Sequence, residues 1–369
     1  MNMIFLLRNG TFAILLFAVY FQVPLDELNP LISPMVALYF LFSFHDVISF
    51  IRRNNNMLLL LLGIIFLLVN LSIVIINGGD AVKGARFLVI LILILLAFGT
   101  ENKKDLNIQY KVFMALTICK VIFLLYLAFV MVMYGDYTLF RTWARMNNYG
   151  DMYFVYDVIP RIQIFGNSLL VVALLVEVFH KNKITILALF IIVGIFIAGN
   201  LSFIIAVFLL LLYVNREKLR NISIKSIFRG ILSILCCLIF MSYVCSENEK
   251  KVENNAIRSA QIEFLVDNDS IFLGNGLGEK VPKMSLIGYP EDSLYYEVQS
   301  AYIFYQIGLV GFLWFIAMNF IFARYYENIN LYVFYGIYIL SACSNPYFFD
   351  TTQVVAVHFL VNIFAKDKL

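Results

Sequence analysis

A polytopic, all-α integral membrane fold is what this sequence predicts, and three observations carry the prediction. The 369 residues are 62% hydrophobic and only 14% charged, with a mean hydropathy of +0.87, so the chain lacks the polar surface that would clothe a soluble domain. Apolar runs of helical length recur from one end to the other. One long polar stretch, Ser246 to Ser300, interrupts them. Because hydrocarbon excludes irregular backbone exposed to lipid, that stretch belongs in water, where substrates and reactive groups can meet.

The apolar runs lie at 11–24, 31–50, 57–77, 85–99, 112–134, 162–179, 184–199, 200–214, 230–245, 300–322, 331–346 and 351–365, which predicts about twelve crossings within a single transmembrane domain covering 1–369. Two of them, 184–199 and 200–214, fall short of the ~20 residues that span a bilayer core. The start, MNMIFLLRNGTF, has the look of a signal peptide but no small-residue cleavage site before Pro24, so an uncleaved first helix is expected. With the N-terminus inside, sixteen of the 27 lysines and arginines fall in cytoplasmic segments and ten in external ones, with Lys120 left inside a helix. That bias, strongest in the short loops, places both termini in the cytoplasm. Two large loops then lie outside: 135–161, rich in Tyr, Phe, Trp and Arg, and 246–299, with ten acids against five bases. Short surface helices are expected on the second, for example over 257–266. Four of the five cysteines sit in apolar runs and Cys245 lies at an outer boundary; no spacing suggests a disulfide framework or zinc.

Three positions can carry chemistry. Arg161 follows Asp157-Val-Ile-Pro160 at the expected external start of the 162–179 helix. Helix amides there favour an anion, which outlines a phosphate site; the alternative is a snorkelling interfacial arginine. Arg258 lies on the expected surface helix, followed by the glycine run Leu273-Gly-Asn-Gly-Leu-Gly278, which matches no nucleotide motif and reads as a tight turn returning the loop over the membrane. Glu297 precedes the helix from Ser300, where a carboxylate is either a dipole partner or a base within reach of a hydroxyl. His45 and His180 belong near the cytoplasmic face, and mid-helix His358 reads as a packed, hydrogen-bonded residue rather than a catalyst. Lys120, Glu177 and Asp350 are costly in or beside lipid and hint at a substrate or transport path.

These residues resemble the Wzy-type O-antigen polymerases of the O-antigen ligase and polymerase superfamily. Arg161-Ile-Gln-Ile-Phe-Gly166 is similar to the first arginine motif, Arg258 with Ile271-Phe-Leu-Gly-Asn-Gly-Leu-Gly278 to the arginine and glycine turn of the large external loop, and Glu297 ahead of Ala301-Tyr-Ile-Phe-Tyr-Gln-Ile-Gly-Leu-Val-Gly311 to the helix closing that loop. Glu297 stands where ligases usually present a histidine, which favours a polymerase. The resemblance implies a glycosyltransferase of the bacterial inner membrane, in lipopolysaccharide biosynthesis. It would transfer a growing glycan from undecaprenyl pyrophosphate to an incoming lipid-linked repeat unit at the periplasmic face. Arg161 and Arg258 would hold the pyrophosphate, and Glu297 would take the hydroxyl proton. Arg86, Arg141, Trp143, Arg145, Tyr296 and Gln299 form the expected substrate-binding set, the aromatics offering flat faces to sugars. The implied partners are an undecaprenyl-pyrophosphate-linked oligosaccharide, membrane lipid and a chain-length regulator protein, with no nucleic acid, cofactor or metal. The competing readings are an O-antigen ligase and a lipid-linked oligosaccharide flippase or other transporter; the long polar loop argues against the flippase.

Overall fold

The computed structural model describes residues 3–21, 29–53, 57–76, 78–100, 103–134, 138–146, 150–155, 159–181, 183–215, 263, 270–279, 299–324, 329–343 and 351–364. In chain order the elements are α1 (Met3–Phe21), α2 (Asn29–Phe42), α3 (Phe44–Arg53), α4 (Met57–Ile76), α5 (Ala81–Ala97), α6 (Lys103–Tyr134), α7 (Thr138–Met146), β1 (Gly150–Val155), β2 (Ile159–Ile164), α8 (Ser168–Lys181), α9 (Ile186–Ala198), α10 (Leu201–Val214), α11 (Gln299–Arg324), α12 (Ile329–Cys343) and α13 (Thr351–Phe364). The described chain is mostly helical, and every predicted apolar run overlaps a helix except 230–245, which lies outside the described residues.

Three expectations change. The fold is not all-α, because β1 and β2 form an antiparallel hairpin that occupies much of the expected loop 135–161, together with α7. The run 162–179 begins as strand and becomes helix only at Ser168. The run 31–50 is two helices, bent by 63° at Ser43. Among the described residues, four helices are long and apolar enough to cross a membrane: α1, α4, Asp105–Met133 of α6 and Ile303–Arg324 of α11, with α2 and α3 a fifth if the bent pair is one span. The stretches Ile186–Ala198, Leu201–Val214, Ile329–Ala342 and Thr351–Val361 are shorter apolar helices. On α4, Leu58, Leu61, Leu62, Ile65, Val69 and Ile76 are all exposed. So much uncovered aliphatic surface is stable only in lipid, and the chain is a membrane protein.

Helices α8 and α13 pack against each other at the centre. The first is buried continuously from Ser168 to Val178, the second from Thr352 to Val361, as helices apolar all round must be. Two of their polar groups are held by several partners. Glu177 accepts from the hydroxyls of Tyr110 and Thr185. His358 Nδ1 lies 2.8 Å from Thr100 Oγ1 and 3.0 Å from Tyr39 Oη, while Nε2 faces Gln109 Oε1 at 2.8 Å. It is the packed histidine that the sequence suggested.

Buried charges mark the two ends of the bundle. At one end Arg8 of α1 pairs with Asp46 of α3 at 2.7 Å and with Asp105 of α6, which is fully buried. Further along the same two helices, Tyr20 bonds Thr117 at 2.7 Å, so α1 and α6 run parallel. Near the far end of α1, and midway along α6, Lys120 Nζ donates to the carbonyls of Tyr20 and Phe165, both at 2.8 Å. That lysine ties the end of α1 and the turn after β2 to α6, and so seats the hairpin at the end opposite Arg8. Because Thr100, just past α5, meets His358, α5 points toward the Arg8 end and starts at the hairpin end.

Breaking a buried ion pair by removing one partner strands the other charge, at a cost of about 3–5 kcal/mol. Arg8→Met should therefore destabilise the protein on this scale, since it leaves Asp105 without its counter-charge. Asp105→Asn should cost less, because Arg8 keeps Asp46. Thermal unfolding of the detergent-solubilised variants measures the order.

Candidate functional site

The hairpin has two chemically opposite faces. Strand side chains alternate in direction, and the register pairs Asp151 with Gln163, Met152 with Ile162 and Tyr153 with Arg161. Met152, Ile162 and Ile164 are buried against a bundle in which β2 contacts α6 and α9. The other face carries Asp151, Tyr153, Arg161 and Gln163. A polar, aromatic platform is thus held on a rigid apolar base.

Two arginines meet on this platform. From α7, Arg141 forks onto Asp151, with Nε to Oδ1 at 2.7 Å and Nη2 to Oδ2 at 3.0 Å. Asp151 Oδ1 also accepts from the amide of Met152 at 2.8 Å. The Arg141 guanidinium carbon lies 5.6 Å from the centre of the Tyr153 ring, and that of Arg161 lies 5.3 Å from it, both within cation–π range. With its amide oxygen turned to the guanidinium, Gln163 accepts from Arg161 Nη2 at 2.6 Å and Nε at 3.2 Å. Among the described residues Arg161 has no carboxylate partner. The platform therefore keeps one uncompensated, half-buried positive charge beside an aromatic ring.

The stem of Arg161 rests on the junction of α9 and α10. There Gly199 caps α9 in the left-handed conformation (φ 63°) and Asn200 caps α10 by accepting from the amide of Ser202. A Cβ at Gly199 would stand 2.5 Å from Arg161 Cγ. Glycine thus serves the sharp turn and the close approach together.

At the same end of the bundle the glycine run folds into the turn that the sequence suggested, and it is inserted into α11. Gly274, Gly276 and Gly278 have φ of 76°, 107° and 93°. Asn70 Nδ2 donates to Leu273 O at 3.0 Å, and a Cβ at Gly84, near the start of α5, would meet Leu277 O at 2.1 Å. Beside the turn, α11 breaks at Gly308, whose φ is 63° and ψ −177°. Asp80 caps α5 through the amide of Lys83 at 3.1 Å, and that backbone hydrogen bond holds its carboxyl below the usual range.

Of the expected residues, the structure brings Arg141 and Arg161 together. Arg161 stands on a strand rather than at a helix start, which corrects the expected dipole-assisted site. The reason is that Arg161-Ile-Gln-Ile continues the alternation begun at Asp151, and the helix waits until Ser168. Trp143 lies on an exposed apolar stripe of α7 with Leu139 and Met146, a pattern suited to the membrane interface. Arg86 is exposed on α5, two residues after Gly84. Arg145 and Gln299 belong to α7 and α11, while Arg258, Tyr296, Glu297 and nearly all of 257–266 lie outside the described residues. Asp151, Tyr153 and Gln163 complete the platform and were missed; their signal was the period-2 pattern across Gly150–Val155 and Ile159–Ile164. No protein-family model, curated protein or solved structure gives a significant match to this chain.

Gly199→Ala forces the new methyl onto the arginine stem and strains a left-handed residue, which should cost more than about 1 kcal/mol. Adding Arg161→Ala should recover part of that loss, with a coupling of about 0.5–2 kcal/mol in a double-mutant cycle. Unfolding midpoints of the four proteins measure it.

Proposed function

We propose that this chain is an O-antigen (polysaccharide) polymerase of the bacterial inner membrane, crossing it about twelve times with both termini cytoplasmic. The supporting observation is the convergence of Arg141 and Arg161 on Tyr153, on one polar face at the end of an apolar bundle that also holds the glycine turn. Guanidinium groups fork onto phosphate oxygens, and an aromatic ring packs against a sugar. A lipid-linked sugar pyrophosphate carries both features.

In the proposed reaction, an acceptor hydroxyl of the incoming repeat unit attacks the anomeric carbon of the growing glycan. The bond from that carbon to the pyrophosphate oxygen breaks, and its electron pair leaves with undecaprenyl pyrophosphate. Arg161, with Arg258, neutralises the departing charge, and Glu297 takes the hydroxyl proton. Arg86, Arg141, Trp143, Arg145, Tyr296 and Gln299 bind the lipid-linked substrates. A transporter reading draws on the intramembrane charges, but Arg8, Lys120, Glu177 and His358 are each engaged by protein groups.

A deletion strain separates the readings. A single repeat on the lipopolysaccharide core is the result expected of a lost polymerase, whereas a core without repeats would point to a ligase or flippase. In the purified enzyme, Arg161→Ala should weaken transfer by about 2–4 kcal/mol, with partial rescue by Arg161→Lys because the fork is lost. Glu297→Gln should slow turnover by about 10²–10⁴-fold while substrate still binds. Wild-type chain lengths from Arg161→Ala at normal protein level would overturn the assignment of the arginine. Near-normal turnover by Glu297→Gln would remove the base and leave Glu297 as a partner of the helix dipole.

A further inference from the structure

The glycine turn and the break in α11 exchange hydrogen bonds one for one. In an unbroken helix the carbonyls of Tyr305 and Gln306 would accept from the amides of Leu309 and Val310, four residues on. Here the Tyr305 carbonyl accepts from Asn275 N and the Gln306 carbonyl from Gly276 N, both at 2.9 Å. The amides of Leu309 and Val310 donate instead to the carbonyls of Ile271 and Phe272, at 2.8 and 3.2 Å. The inserted loop therefore supplies a partner for each of the four groups that the break releases.

Glycine makes the insertion sterically possible on both sides. A Cβ at Gly308 would lie 2.4 Å from Gly274 N, and one at Gly274 would lie 2.3 Å from Gln306 O. Gly308 reaches its positive φ without penalty, but as glycine it can equally take helical angles. Around the turn the match is incomplete. Among the described residues, fully buried Gln306 has no partner for Nε2, and Asn70, 1% exposed, has none for Oδ1. The docked loop thus leaves polar groups unsatisfied, whereas the helix can satisfy its own backbone alone.

We infer that residues 270–279 and α11 form a two-state latch. In the docked state the loop occupies the break. In the released state Gly308 turns helical, Tyr305 and Gln306 recapture Leu309 and Val310, and α11 closes into one continuous helix. Both states satisfy the backbone of α11, which a span in lipid requires, so the exchange is open to a loop that simple unfolding of the helix would not free. The latch couples the loop that carries the glycine run to the direction of the first turns of α11, from Gln299 to Ile307.

Hydrogen exchange in nanodiscs tests the latch without any assay of activity, so its outcome is independent of the proposed reaction. If the latch operates, release exposes the amides of Asn275 and Gly276 but leaves those of Leu309 and Val310 bonded. In the native protein the peptide covering 270–279 should then exchange at least about tenfold faster than that covering 305–315. Gly308→Ala, which clashes with the docked loop and favours the helix, should raise exchange in 270–279 further while 305–315 stays protected. Equal exchange of the two peptides in the native protein, or their joint loss of protection in Gly308→Ala, would overturn the latch in favour of a fixed insertion that opens only by local unfolding.

Discussion

Every backbone amide and carbonyl inside this apolar bundle needs a protein partner, because lipid offers none. That constraint decides where the chain can leave the helix. Three of the places near the hairpin end where it does so each show a built solution. At the α9–α10 junction the Gly199 amide bonds Ile195 O while Asn200 caps the next helix. At Gly308 an inserted loop replaces the missing helical bonds. After β2, Lys120 donates to Phe165 O and to Tyr20 O. The candidate platform stands where two of these solutions meet.

Lys120 illustrates why composition alone misleads. A lysine inside an apolar helix suggests a transport path, since burying an ammonium is expensive. Its role here follows from its three donors on a long stem, which can serve carbonyls from two segments at once. One of those carbonyls lies at the C-terminal end of α1, where the helix dipole favours a cation. The rings of Phe21 and Phe123 lie 6.0 and 5.9 Å from its nitrogen, which adds attraction to their faces. The charge is compensated by dipoles rather than by an acid, and it holds the hairpin in place.

What could be read from the sequence followed the strength of its periodic signals. Long apolar runs such as 57–77 and 300–322 announce helices because lipid-facing and buried positions are both apolar, so the whole run is marked. The hairpin was harder to see. Its inward residues Ile162 and Ile164 run on into Phe165 and the apolar start of α8, and the merged run hides an alternation that Arg161 and Gln163 would otherwise reveal. The glycine run could be read as a turn, because three closely spaced glycines suit positive φ. Its partner at Gly308 lies more than thirty residues away, and nothing local says that a turn there will open a helix. Arg141 and Arg161 were both singled out, but only the register of the strands brings them to one tyrosine.

The placement of Arg161 changes the physics of anion capture at this end. At a helix start, an anion would be drawn by the dipole and by free amides in addition to the guanidinium. On β2 those contributions are absent, and attraction rests on side chains alone. The two arginines are then unequal. Arg141 is already neutralised by its fork onto Asp151, so an incoming anion must compete with a carboxylate for it. Among the described residues, the hydrogen-bond partner of Arg161 is a neutral amide, so it keeps its charge available, its stem fixed against Gly199. First contact with an anion therefore falls to Arg161, and Arg141 is drawn in only by a ligand of charge high enough to displace Asp151. On the proposed reading, this ordering would suit a pyrophosphate better than a single carboxylate, and Tyr153, within cation–π range of both guanidinium groups, would offer its face to the attached sugar.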